Sequence, residues 1–164
     1  MATKKRESKL SKLIKTNCNQ IHFTRIESKT INGIPDLNGC MASKEFWLEL
    51  KSDFVGYPKL SKWQISWINK RLAAGGTVLI CNETLKERSL KLYRPLSAIT
   101  DARLLKPRFS FSFPVQWAIL QDAIWELLDL RAARARSRAM KQHQRFVVDV
   151  ASGGSVSELD LARD

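Results

Sequence analysis

Two stretches, Gly33-Ile-Pro-Asp-Leu37 and Glu45-Phe-Trp-Leu-Glu-Leu-Lys51, decide how this chain of 164 residues is read. Successive side chains of a strand point to opposite faces. In the second stretch Phe46, Leu48 and Leu50 therefore share one face, and Trp47, Glu49 and Lys51 share the other. The apolar face can enter a core, which leaves a Glu-x-Lys pair held out from a rigid support. The first stretch is short and extended, punctuated by Gly33 and Pro35, and it places Asp36 thirteen residues before Glu49. Two carboxylates and a lysine are thus offered from neighbouring pieces of backbone.

The elements around this pair follow from periodicity. Residues 60–74 read as a helix with Ser61 as N-cap and Gly75-Gly76 as its stop. Leu60, Trp63, Trp67, Ile68 and Leu72 spread over one arc of that helix, and Gln64 falls near the middle. A polar amide at the centre of an apolar arc needs a partner. Gln64 either points toward Glu49 and Lys51 or bonds to backbone at the helix edge. Thr77-Val-Leu-Ile-Cys81 is a continuous apolar run, as in a buried central strand. The helix then acts as a crossover, which makes strands 45–51 and 77–82 parallel. Adding a first helix over about 5–17, strands at 21–27 and 34–40, and a short strand near 89–93 gives an α/β domain. Its sheet is mixed and flanked by helices.

Beyond residue 93 the character changes. Residues 94–113 hold Pro95 and Pro107 and read as a connecting segment, in which the alternating Phe109-Ser-Phe-Ser-Phe113 fits a short edge strand or a piece laid against the core. A long helix is expected over 114–145, opened by Pro114 in the first turn. Trp117, Leu120, Ile124, Leu127 and Leu128 form its stripe, and its second half is basic. The remainder, 146–164, reads as a disordered tail, Gly-, Ser- and acid-rich from Ala151 onward.

Net charge is +12, and it is concentrated. Residues 1–15 carry +5 and residues 131–145 carry +6, leaving +1 for everything else. Two basic arms beside a near-neutral core are what binding to a phosphate backbone requires. The candidates are Lys4, Lys5, Lys9 and Lys12 in the first arm, and Arg131, Arg134 and Arg138, which share one side of a helix, in the second. No apolar run approaches the ~20 residues of a membrane span, and no signal-peptide pattern opens the chain. A cytoplasmic protein without a membrane partner is expected. Cys18, Cys40 and Cys81 form no Cys-x-x-Cys pair, and with only His22 and His143 a zinc site is not indicated. The cysteines read as buried small apolar residues.

Pro35-Asp36 followed by Glu49-Leu50-Lys51 resembles the signature of the PD-(D/E)XK nuclease superfamily. Gly33-Ile-Pro-Asp-Leu with Trp47-Leu-Glu-Leu-Lys is similar, more narrowly, to its VRR-NUC branch and to small Holliday-junction resolvases. The resemblance spans roughly residues 5–93 and implies a restriction-endonuclease-like core over 1–93. It implies hydrolysis of DNA phosphodiesters with Mg2+, for which Mn2+ can substitute. Asp36, Glu49 and the backbone carbonyl of Leu50 would hold the ion, a hard cation that prefers oxygen ligands, and Lys51 would act beside it. The family's helix glutamine matches Gln64. An early glutamate on the first helix matches Glu7, the only acidic residue among the first fifteen. Glu7 could instead be a solvated partner of Lys4 or Lys5. Glu27 is the other candidate, provided that the end of its strand faces the site.

The expectation is a metal-dependent endonuclease acting on branched or structured DNA, with a homodimer as a natural arrangement for two-strand cleavage. Flaps and ordinary duplex remain open as substrates. Two readings of other kinds stand beside it. One is a basic DNA-binding protein without catalysis. The other is an assembly protein whose 114–142 helix docks a partner through Trp117, Ile124 and Leu128.

Overall fold

A computed structural model of the chain describes residues 2–28 and 30–129. The elements run α1 (Ala2–Asn17), β1 (His22–Arg25), β2 (Leu37–Met41), β3 (Lys44–Asp53), α2 (Lys62–Ala73), β4 (Val78–Thr84) and β5 (Ser89–Tyr93). A short 3-10 turn (Ala102–Leu104), β6 (Phe109–Ser112) and α3 (Trp117–Leu128) follow. The six strands form one sheet in the order β1-β2-β3-β4-β5-β6. All neighbours are antiparallel except β3 and β4, which are parallel with Glu49 opposite Ile80. The α/β architecture and the mixed sheet therefore agree with the sequence, and the parallel pair is the one joined by the α2 crossover.

Alternation along β3 sorts the core onto the two faces of the sheet. Phe46, Leu48 and Leu50 join Leu79, Cys81, Leu90 and Leu92 under α1 and α3, which contribute Leu10, Ile14, Leu120, Ile124 and Leu127. On the other face Val78, Ile80 and Tyr93 pack against Ile68 of α2, with Trp47, Ile65, Trp67 and Leu72 around them. Trp47 meets Trp67 edge-on at 5.0 Å. The β2–β3 hairpin turns on Ala42 and Ser43, both left-handed (φ 45° and 63°). Positive φ at both central residues is the two-residue turn whose twist matches that of the strands.

Several expectations are corrected. The edge strand expected at 109–113 forms as β6 beside β5, but residues 94–113 are then more than a connection, and the compact unit runs from Met1 to Leu128 instead of stopping at 93. The last helix begins at Trp117, three residues after Pro114. Its apolar stripe lies in the core as expected, and Trp117 packs at the core's margin. Trp63 is not part of the buried arc of α2; it is 54% exposed, and Ile65 takes the inward position. Cys18 and Cys81 are buried and Cys40 is half-buried, all as free thiols. The second half of the 114–145 helix, the tail 146–164 and Arg131, Arg134 and Arg138 lie outside the described residues. Among the described residues no helix is long and apolar enough to cross a membrane.

Candidate active site

The site forms where β3 outruns its neighbour. β2 accompanies β3 only from Lys44 to Leu48, whereas β4 stays beside it from Trp47 to Asp53. The backbone N–H of Trp47 donates to the Thr77 carbonyl on the β4 side. By alternation the N–H of Leu50 points the other way, where the next strand is already missing. Asp36, the residue just before β2, fills that gap: its Oδ2 accepts from Leu50 N at 2.9 Å. The N–H and C=O of one strand residue leave the backbone on the same side, so the Leu50 carbonyl opens on the gap that Asp36 borders.

Gly33 brings this loop against α2. Its φ is +84°, a region open to glycine and costly for other residues. A Cβ there would lie 2.3 Å from the carbonyl carbon of Trp63 and 2.7 Å from Gln64 N. The loop therefore abuts the first turn of α2, and that turn carries Gln64. Ser61 and Gln64 form a capping box: Gln64 N donates to Ser61 Oγ at 3.2 Å, and Ser61 N donates to Gln64 Oε1 at 2.9 Å. The other end of the same amide, Nε2, donates to Glu49 Oε1. Both readings of Gln64 thus hold at once, since backbone capping aims the amide nitrogen at Glu49.

Glu49 is 1% exposed, and its Oε1 also meets Lys51 Nζ at 2.5 Å. Its Oε2 is buried and takes no hydrogen bond from the described residues. Glu7 arrives from α1, with Oε1 3.7 Å from Lys51 Nζ. Burial pushes the Glu49 carboxyl up to about 8; Lys51 opposes that shift, while the charges of Asp36 and Glu7 add to it. Glu7 is raised for the same main reason, with Lys51 opposing and Asp36 and Asp53 adding. Burial alone would lower Lys51, but the carboxylates of Glu49, then Glu7 and Asp36, outweigh it and hold the ammonium above its usual value.

Glu7, Asp36, Glu49, Lys51 and Gln64 therefore come together from four elements. Glu27 does not: it is exposed and pairs with Arg25 at 3.0 Å. Lys4, Lys5, Lys9 and Lys12 lie exposed on α1, beyond the site. Asp53 is the residue that sequence reading missed. It is buried on the same β3 face, two residues past Lys51, and accepts from Val55 N at 2.8 Å. Extending the alternation of β3 by one more pair would have reached it.

Among the described residues, no three His, Cys, Asp or Glu side chains are grouped tightly enough to hold an ion by themselves. The donor set is still of the kind a hard cation uses: two or three carboxylates beside a strand carbonyl, with water completing the shell. The partnerless Glu49 oxygen is an acceptor of that kind. The chain matches no protein-family model and no curated protein.

Proposed function

We propose that this chain is a divalent-metal-dependent deoxyribonuclease of PD-(D/E)XK type, an endonuclease that hydrolyses phosphodiester bonds in branched or structured DNA. The observation that carries the reading is the partnerless Oε2 of Glu49, buried in a cluster where Asp36, Glu7, Lys51 and Gln64 converge. A buried carboxyl with an unused oxygen costs stability, and a bound cation would supply the partner that Oε2 lacks among the described residues. Asp36, Glu49 and the Leu50 carbonyl would hold Mg2+, with Mn2+ as a substitute, and Glu7 would stand behind them. The bound ion would supply an acidified water and charge neutralisation at the phosphate.

The chain's own residues have separable tasks. Gln64 holds the Glu49 side chain in place through Oε1. Asp36 ties the loop to β3, which fixes the distance between the two carboxylate-bearing segments. Lys51 is anchored by Glu49 and Glu7, leaving a cation beside the place where charge develops on a phosphate. The exposed lysines of α1 and the basic 131–145 segment supply sequence-independent attraction to DNA.

The deciding assay compares cleavage of four-way junction, flap, single-stranded and linear duplex DNA, with and without Mg2+. Mg2+-dependent cleavage is expected, strongest on a branched substrate. Asp36→Asn, Glu49→Gln and Lys51→Ala should each abolish it while DNA binding survives. Wild-type cleavage in any one of these variants removes that residue from the site, and no cleavage of any substrate by the native chain overturns the reading.

A further inference from the structure

Two large aromatic side chains are exposed beside this cluster, each next in sequence to a residue of the site or its flank. Trp63, 54% exposed, precedes Gln64, and Phe54, 65% exposed, follows Asp53. Single exposed apolar residues are ordinary on protein surfaces. These two share a further property: each ring has a cation over it. Lys62 Nζ lies 5.0 Å from the Trp63 ring centroid, and the Arg6 guanidinium lies 5.8 Å from that of Phe54. The two rings come from different elements around the cluster. Trp63 sits where α2 meets the Gly33 loop, and Phe54 sits where β3 ends, beside the first turns of α1 that carry Arg6 and Glu7.

An exposed ring paired with a cation is the arrangement by which proteins hold unpaired nucleotides. The ring stacks on the base and the cation meets the phosphate. Stacked base pairs within a continuous duplex offer no free π-face, so such platforms gain contact only where bases are unstacked. We propose that Trp63 and Phe54 are stacking platforms for unpaired bases next to the scissile phosphate, which makes DNA with a single-stranded arm or an opened branch point the preferred substrate. This rests on the nuclease reading and names the substrate class for that same site.

The test reads binding without catalysis. In EDTA, fluorescence anisotropy compares a short duplex with a duplex of equal phosphate count that carries a single-stranded arm. The native chain should bind the arm-bearing DNA more tightly. Trp63→Ala and Phe54→Ala should each reduce that affinity on the order of tenfold, with duplex affinity and its salt slope unchanged. Trp63→Phe should recover most of the loss. Ile119→Ala, which removes an exposed side chain from α3, should change neither. Melting temperatures near native confirm that the variants are folded. Equal losses on both DNAs, or no loss on either, overturn the proposal. Arm preference that persists in a chain unable to cleave DNA with Mg2+ would leave the platforms standing and remove only the nuclease.

Discussion

Glu49→Gln in the metal-free protein should flatten a pH dependence of stability that the native chain shows. The unfolded carboxyl ionises near 4.5, and in the folded chain burial raises it to about 8. Between those values the folded state retains a proton that the unfolded state has released. Raising the pH through this window therefore favours unfolding, and the stability that the protonated carboxyl preserves below 4.5 is progressively lost. One group contributes a slope of about 1.4 kcal/mol per pH unit, so roughly 3 kcal/mol between about pH 5 and 7. Glutamine keeps the Oε1 acceptor for Gln64 and does not ionise, so this slope disappears whatever constant offset the change brings. Urea denaturation in EDTA across that range measures both proteins. The native curve should fall relative to the Glu49→Gln curve as pH rises. Parallel curves would refute the idea that Glu49 is a buried, proton-holding carboxyl.

Further outcomes follow from the same contacts. Mg2+ or Mn2+ should raise the melting temperature of the native chain more at pH 8 than at pH 6, because the ion displaces a proton, and should do little for Glu49→Gln. Gln64→Ala removes one arm of the capping box and a partner of Glu49; it should cost about 1–2 kcal/mol by denaturation and lower the cleavage rate further than that loss explains. Gly33→Ala forces a Cβ into the Trp63 backbone at positive φ and should cost about 1–3 kcal/mol, with cleavage falling as Asp36 shifts. Replacing Arg131, Arg134 and Arg138 together with Gln should reduce the slope of log affinity against log salt on duplex DNA by about 2 to 3, read by anisotropy; an unchanged slope would move the DNA contacts to Lys4, Lys5, Lys9 and Lys12.

The parts of the fold legible in sequence were those where one signal dominates. Strict alternation from Phe46 to Lys51 assigned both faces of β3. The apolar run at Thr77–Cys81 marked a central strand, and Ser61 with Gly75 bracketed α2 almost to the residue. Site residues on those elements, Glu49, Lys51 and Gln64, were legible for the same reason, and Glu7 by helical phase. Where signals compete, the reading failed. Trp63 is apolar and in helical phase, yet the Gly33 loop packs against its backbone and leaves the ring outside. Residues 94–113 look like a linker because prolines interrupt them; the alternation of Phe109-Ser-Phe-Ser-Phe113 does mark the edge strand, but no local pattern ties it to β5. Asp53 was missed because charges beyond Lys51 read as a strand end.

The carboxylate of Asp36 also serves as a stopper where the sheet loses a strand. Among the described residues β3 has no strand on its β2 side past Leu48, and the backbone there is buried, so its N–H groups on that side have neither a ladder partner nor water. Asp36 occupies the Leu50 N–H and so supplies the missing partner from a side chain. The usual alanine used to silence a carboxylate would therefore do two things at once, since it removes the charge and leaves a buried backbone donor unpaired. Asparagine retains an oxygen for the same N–H. An inactive protein intended for trapping DNA complexes should accordingly carry Asp36→Asn, and a melting temperature lowered in Asp36→Ala but not in Asp36→Asn would reveal the unpaired donor.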